Sequence, residues 1–431
     1  MRSFKYVILG GGVGAGYAAH EFVRRGLAPG DLCIISSEAV VAYERPALSK
    51  GYLNPENAAR LPGFHTCVGL GLGRQDPGWY AERGIQYLTG VTVTDVDVAG
   101  RKLRIGGADE VTYGKLLVAT GSRPVTLQEH GTPGWDLRGI FYLRNLADAE
   151  RMMQGIKECK ARDGRAVVVG AGFVGMEIAA VLRQNGLEVA MVFPGGMLMD
   201  RMLPPEVATF YEDFYQNKGI EICWGQKVSE LHGRDGHIEA VETTEGQMLS
   251  ASMVVAGIGA RPNKELFTGQ LDMAAGGITV NGKLLTSDPN VYAIGDVAAF
   301  QLTRYSGNLQ RQEHVTNARL TAIHAVSAIM DPENTVDYDY VPYYYSRFFS
   351  LSWQFHGINK GKGVPFGSQK DEKFGLYWVH EGRVVAAFLE GGSDVEFKWV
   401  KAVARERPKA PCEEELEDMG LEFAAKVANA G

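Results

Sequence analysis

Gly10, Gly12 and Gly14 stand in the run GGGVGAG, and Gly170, Gly172 and Gly175 in GAGFVG. Small residues at this spacing let backbone amides approach a dinucleotide pyrophosphate, and the helix that follows presents its positive end to the anion. Two such runs point to two dinucleotides. A chain holding a flavin and a nicotinamide nucleotide together can pass a hydride between them. The cysteines, Cys33, Cys67, Cys159, Cys223 and Cys412, form no CxxC or CxxxxC pair. A dithiol relay needs two sulfurs within bonding distance, so the flavin is expected to give its electrons directly to the acceptor. All five thiols are read as buried and inert, and no metal is expected, since zinc-ligand spacing is absent.

Each run needs a strand before it and a helix after it. KYVIL (5–9) reads as a strand buried on both faces, and YAAHEFVRRG as a helix with Tyr17, Phe22 and Val23 inward. Gly10 and Gly12 fill the first two fingerprint positions and Ala15 the third, with Val13 and Gly14 in the same turn. The next strand, DLCIISSE, brings Glu38 about 20 residues past the turn, where such units offer a carboxylate to the adenosine ribose. In the second copy RAVVVG (165–170) leads through Gly172, Phe173, Val174 and Gly175 into the helical MEIAAVLRQNG, then the strand EVAMVF (188–193). No acid follows directly, because the chain continues Pro194, Gly195, Gly196. A carboxylate there would suit NADH and a nearby arginine NADPH; Arg201 is either that cation or a surface residue, so both nucleotides stay open.

YERPALSKGYL (43–53) carries Arg45 and Lys50, cations able to sit by phosphates or beside a reduced, anionic flavin ring. LLVATGSRP (116–124) and MVVAGIGARPN (253–263) are apolar strands ending in glycine turns, crossing points between domains. VYAIGD (291–296) ends in Asp296, able to hydrogen-bond a polyol chain. The expected fold is α/β: two Rossmann-like nucleotide-binding domains, the second inserted in the first, and a small α+β C-terminal domain. The boundaries are 1–124 with 255–328 for FAD, 125–254 for NAD(P)H, and 329–431 for the C-terminal part. That last part is expected as a small sheet against the flavin domain, with a Glu381-Gly382 turn, a helix over 395–405 and a final helix starting in the acidic EEELED.

The length of 431 residues allows about three domains. A hydrophobic content of 45% with 54 glycines indicates a turn-rich globular chain. A net charge of -7 gives the whole molecule no electrostatic reason to bind nucleic acid or an anionic membrane. No secretory segment precedes the first strand and no SKL address closes the chain, so the cytosol is expected, an organellar form staying open.

ATGSRP, GIGARPN, YAIGD and the doubled fingerprint together resemble the glutathione reductase-like flavoproteins. YERPALSK is similar to their cysteine-free branch, which holds ferredoxin reductases and apoptosis-inducing factor. ARLPGFHTCVG (59–69), RQEHVTNAR (311–319), YVPYYYSRFFSLSWQFHG (340–357) and FGLYWVHEGRVVAAFLEGGS (374–393) resemble the monodehydroascorbate reductases of plants and algae, almost end to end. Where ferredoxin reductases tend to place Trp-Ser and then Asp-Gln, this chain has Tyr345, Ser346, Arg347 and Phe348. The resemblance implies FAD across the first domain, NADH or NADPH on the second, and reduction of an anionic radical bound by Arg319 and Tyr345. It implies a Lys50–Glu177 ion pair that gates nicotinamide access to the flavin. It also implies that Val93, Arg144, Asp296, Glu313 and His314 contact FAD or frame the nicotinamide site, and that Arg201 and Gly259 serve the second nucleotide. The family commonly has an acid where this chain has Gly195. A monomer is expected. Two other readings stand beside it: a reductase serving ferredoxin or rubredoxin, and a signalling flavoprotein resembling apoptosis-inducing factor.

Overall fold

A strand buried along its second half, Arg2–Leu9, opens the chain, because Tyr6 to Leu9 face side chains above and below. The structure, a computed structural model, describes residues 2–107, 109–305 and 307–430. It divides into two compact units, one of Met1–Ala47, Ala59–Arg123 and Arg261–Tyr340, the other of Leu48–Ala58, Pro124–Ala260 and Val341–Gly431.

In the first unit, Arg2–Leu9 pairs in parallel with Leu32–Ile35 on one side and Asp109–Val118 on the other. The strand Asp109–Val118 changes neighbours along its length. Its start lies antiparallel to Lys102–Ile105, and its end lies parallel to Val291–Ala293. The helix Val13–Arg24 buries Ala15, Ala18, Ala19 and Phe22 in the same core as these strands and packs beside the helix Val315–Met330. Alanines on both helices allow that close approach.

In the second unit a parallel sheet runs in the order Ile220–Cys223, Glu188–Val192, Arg165–Val169, Met253–Ala256, Ile140–Phe141. A capping box, Asn145 with Asp148, starts the helix Leu146–Ala161. The C-terminal residues form an antiparallel sheet in the order Tyr343–Phe348, Leu351–Gly357, Arg383–Glu390, Lys373–His380, Lys362–Ser368. Glu381 and Gly382 both take positive φ, 50° and 70°, the two-residue turn that matches strand twist. The helix expected over 395–405 spans Asp394–Glu406, capped by Ser393 and Glu396, and the acidic segment opens the helix Glu413–Met419.

Three outcomes differ from expectation. Residues 341–431 group with 124–260 rather than apart, and their first strand packs on the helix Phe173–Gln184, where Phe173 meets Tyr344 and Trp353 at 5.7 and 5.4 Å. Residues 48–58 also group there, so Arg45 and Lys50, close in sequence, fall in different units. Cys412 is exposed, not buried, because it precedes an acidic helix on the surface. The other four cysteines are buried and free, and burial pushes the Cys33 and Cys67 thiols up to about 12. No helix of the described residues is long and apolar enough to cross a membrane.

Candidate functional site

Around the first turn, shape forces glycine. Gly10 has φ +117°, and a Cβ there would stand 2.2 Å from the Ala119 carbonyl oxygen. Gly12 caps the helix Val13–Arg24 with no side-chain hydrogen bond, and the first turn, which includes Gly14 and Ala15, carries no acid. Helix-end amides there are left to a ligand rather than a side chain, which fits a dinucleotide pyrophosphate. Arg45 lies beside this turn, its Nη2 3.4 Å from where a Cβ on Gly12 would be. It pairs with Glu38, which also accepts the Tyr43 hydroxyl. Glu38, three residues past the strand Leu32–Ile35, and Arg45 at the turn thus form one polar edge. Val93 is a buried core residue at the start of its strand.

The other residues of the first unit gather at the start of the helix Val315–Met330. Asp296 sits in the tight turn Gly295–Val297, accepts the Ser122 hydroxyl at 2.6 Å, and takes Arg311 on its carbonyl at 3.1 Å. Arg311 also pairs with Glu313. His314 is the N-cap of that helix: its Nδ1 accepts the Thr316 amide at 3.2 Å, the structural duty usual for a histidine at a helix entry. One turn on, Arg319 Nη2 lies 2.6 Å from Glu44 Oε2, and Glu44 Oε1 accepts the Tyr17 hydroxyl at 3.0 Å. Burial, and then the Glu44 charge, raise the Tyr17 phenol pKa, so this hydroxyl stays protonated. Glu44 is a residue sequence reasoning missed, because its partners are helical residues far along the chain.

The second turn repeats the pattern more tightly. Gly170 has φ +112°, and a Cβ on Gly175 would stand 2.2 Å from the Gly170 carbonyl oxygen. Gly172, the N-cap of Phe173–Gln184, has nothing within 4 Å of such a Cβ, and neither a side-chain cap nor a first-turn acid is present. That open approach fits a second pyrophosphate. Val174 is exposed beside it, while Gly259, just past the strand Met253–Ala256, accepts the Val125 amide at 2.9 Å on its carbonyl. Arg201 is exposed in the loop after Glu188–Val192, its carbonyl accepting Asn359 Nδ2 at 2.7 Å. Arg144 also lies in this second unit, its amide donating to Asp148 at 2.9 Å.

One turn into the same helix, Glu177 is only 5% exposed. Its Oε2 accepts Lys50 Nζ at 2.8 Å and the Ser49 hydroxyl, and its Oε1 accepts the Ser346 hydroxyl. A buried carboxylate needs such partners, since burying a charge without them is costly. Lys50 Nζ lies 5.4 Å from the Tyr345 ring centre, and Tyr345 stacks on Tyr343 at 5.8 Å. Asn185 holds the Lys50 segment in place by donating to the Leu53 carbonyl at 3.0 Å. Ser49 and Ser346 went unremarked in sequence; their only signal is adjacency to Lys50 and Tyr345. A carboxylate from one helix, a hydroxyl and a phenol from one strand, and an ammonium and a second hydroxyl from the turn at Ser49 and Lys50 are thus assembled together.

Residues 230, 232 and 242 make a further cluster on an exposed hairpin, where His232 Nε2 lies 2.7 Å from Glu242 Oε2 and Glu230 is near. Spacing alone missed it because Glu242 comes from the neighbouring strand.

Residues 4–322 match the pyridine nucleotide-disulphide oxidoreductase family, and residues 341–424 match the C-terminal domain described as monodehydroascorbate reductase 3-like. The peroxisomal monodehydroascorbate reductase 2 of Oryza sativa subsp. japonica is 48% identical over 427 residues, covering 98% of this chain and 89% of that one. The monodehydroascorbate reductase of Pisum sativum is 46% identical over 435 residues, covering 99% and 100%. Among solved structures, a ferredoxin reductase from Rhodopseudomonas palustris is similar with a TM-score of 0.84 at 28% identity, covering 98% of this chain and 100% of that one.

Proposed function

Because the chain belongs to the monodehydroascorbate reductases, within the pyridine nucleotide-disulphide oxidoreductase family, we propose that it takes electrons from NAD(P)H through FAD and reduces the monodehydroascorbate radical to ascorbate. The observation that carries this reading is 46% identity to a named reductase of that substrate along 99% of the chain, in a chain with two intact strand-turn-helix dinucleotide sites. A ferredoxin or rubredoxin reductase is not favoured, since the likeness on that side is 28% identity. A signalling flavoprotein is not favoured either.

Bound FAD would supply the conversion of a two-electron hydride donor into single electrons, which a radical acceptor requires. The residues divide the remaining work. The first unit would take FAD: the Val13 helix end and Arg45 would meet the pyrophosphate, Glu38 the ribose, and Asp296 the polyol chain. The second takes the nicotinamide nucleotide on Gly170 to Gly175, with Gly259 and Arg201 at its edges. Glu177 holds the Lys50 ammonium at 2.8 Å, a fixed cation suited to stabilising negative charge on a reduced flavin ring. Arg319, held in place by Glu44, attracts the radical anion, and the Tyr345 hydroxyl orients it. Val93, Arg144, Glu313 and His314 frame these sites, His314 as a helix cap rather than an acid. The enzyme works as a monomer and in the cytosol, although several relatives are named peroxisomal.

The test is a choice of acceptor. With the radical generated from ascorbate by ascorbate oxidase, NAD(P)H oxidation should depend on it and should exceed the rate with a plant-type ferredoxin. Turnover with ferricyanide alone would contradict the reading.

A further inference from the structure

The second dinucleotide unit has a glycine, Gly195, three residues past its second strand, yet a carboxylate occupies the space beside it. Rossmann units use an acid at this strand end to hydrogen-bond the adenosine ribose hydroxyls, and a negative charge at that place repels the 2′-phosphate of NADPH. Here the strand Glu188–Val192 runs into Phe193, Pro194 and Gly195. A Cβ built on Gly195 would lie 2.5 Å from Asp200 Oδ2 and 3.1 Å from its Cγ. The Asp200 carboxylate therefore fills the space that an acidic side chain at 195 would enter.

The loop is built to keep it there. The Met199 amide donates to the Ala171 carbonyl at 3.2 Å, and Ala171 belongs to the fingerprint turn itself. Met199 takes φ +50°, and the Met202 and Leu203 amides close on its carbonyl at 2.8 and 3.0 Å. The Leu198 amide donates to Glu212 at 2.8 Å, and the Gly195 carbonyl accepts the Gly225 amide at 3.0 Å. Asp200 is exposed, and among the described residues its carboxylate makes no hydrogen bond or ion pair, so its oxygens are available to a ligand.

We infer that Asp200 supplies the ribose-facing carboxylate of the nicotinamide nucleotide and sets a preference for NADH over NADPH. The inference rests on the reading of Gly170 to Gly175 as the nicotinamide nucleotide site. Arg201, the competing cation for a 2′-phosphate, is next in sequence, but only its carbonyl is anchored among the described contacts.

Equilibrium binding of NAD⁺ and NADP⁺ to the FAD-loaded protein, followed by calorimetry, tests it. The wild type should bind NAD⁺ about tenfold or more tightly than NADP⁺, the scale of a like charge placed against a phosphate near a surface. Asp200→Asn and Asp200→Ala should each narrow that ratio by about tenfold, mainly through tighter NADP⁺ binding. Gly195→Glu in the Asp200→Ala background should restore it, since the cleared space admits the new side chain. An NAD⁺/NADP⁺ ratio that stays within about twofold of wild type in both single variants would overturn the inference. Failure of the wild type to bind either nucleotide would sink the reading of the site, and the inference with it.

Discussion

Arg319 and Glu177 show how single charges are placed. Arg319 is fixed by Glu44, whose other oxygen is occupied by Tyr17, so the guanidinium keeps one position. Arg319→Ala should raise the apparent KM for the radical about tenfold while flavin reduction by NADH, followed by stopped flow, keeps its rate. Equal loss in both half-reactions would contradict that division. The partnership of Lys50 and Glu177 was legible from motif matching alone. The serines completing it were not, because Ser49 and Ser346 reach Glu177 across 128 and 169 positions of sequence. Hydroxyls carry no spacing signature, and only folding brings them to the same carboxylate. His314 adds a duty to its motif assignment: its Nδ1 caps the helix Val315–Met330.

At the scale of elements, the two turns were the most readable part of the chain. The strand read at 5–9 spans Arg2–Leu9, the second begins at Arg165 as read, and both helices start directly after the capping glycine. Steric demand explains this legibility, since few residue types satisfy a turn that passes so close to its own backbone. Two substitutions separate the reasons for glycine. Gly175→Ala puts a methyl against the Gly170 carbonyl and should destabilise the protein by about 1–3 kcal/mol or more in chemical denaturation. Gly172→Ala meets open space, so it should denature with the wild type while NADH binding weakens, because the methyl stands where the pyrophosphate approaches. Identical behaviour of the two variants would argue against a nucleotide at this turn. Asp200 was illegible for a different reason. The expected acid was sought directly after the strand, and the chain delivers one only after folding back on itself.

For the whole molecule, the α/β architecture with its C-terminal antiparallel sheet followed from strand patterning, but the grouping of segments did not. Nothing local in YERPALSKGYL marks a division between Ala47 and Leu48; that grouping comes from contacts such as Asn185 with Leu53 and Glu177 with Lys50. Stability against pH is also a property of the assembled core. His20, His65 and His324 all have lowered pKa values, with burial the leading cause, while their unfolded values lie near 6.5. Below that value the unfolded chain binds protons that the folded one does not, so stability falls as pH drops through the window from about 6.5 to the depressed folded values. Glu390, raised by burial, acts with the opposite sign, its contribution falling as pH rises above the unfolded carboxyl value of 4.5. Tm should therefore fall between about pH 7.5 and about pH 5.5, and His65→Gln or His324→Gln should reduce that fall. An unchanged slope in both variants would remove the histidines as its source.

The most direct measurement is an anaerobic titration of the FAD-loaded protein by absorbance. One equivalent of NADH should bleach the flavin band, and two equivalents of monodehydroascorbate should restore it, with ascorbate as product and no change in free thiols. A band that NADH leaves intact, or that the radical cannot restore, would contradict direct passage of electrons from nicotinamide through flavin to the radical.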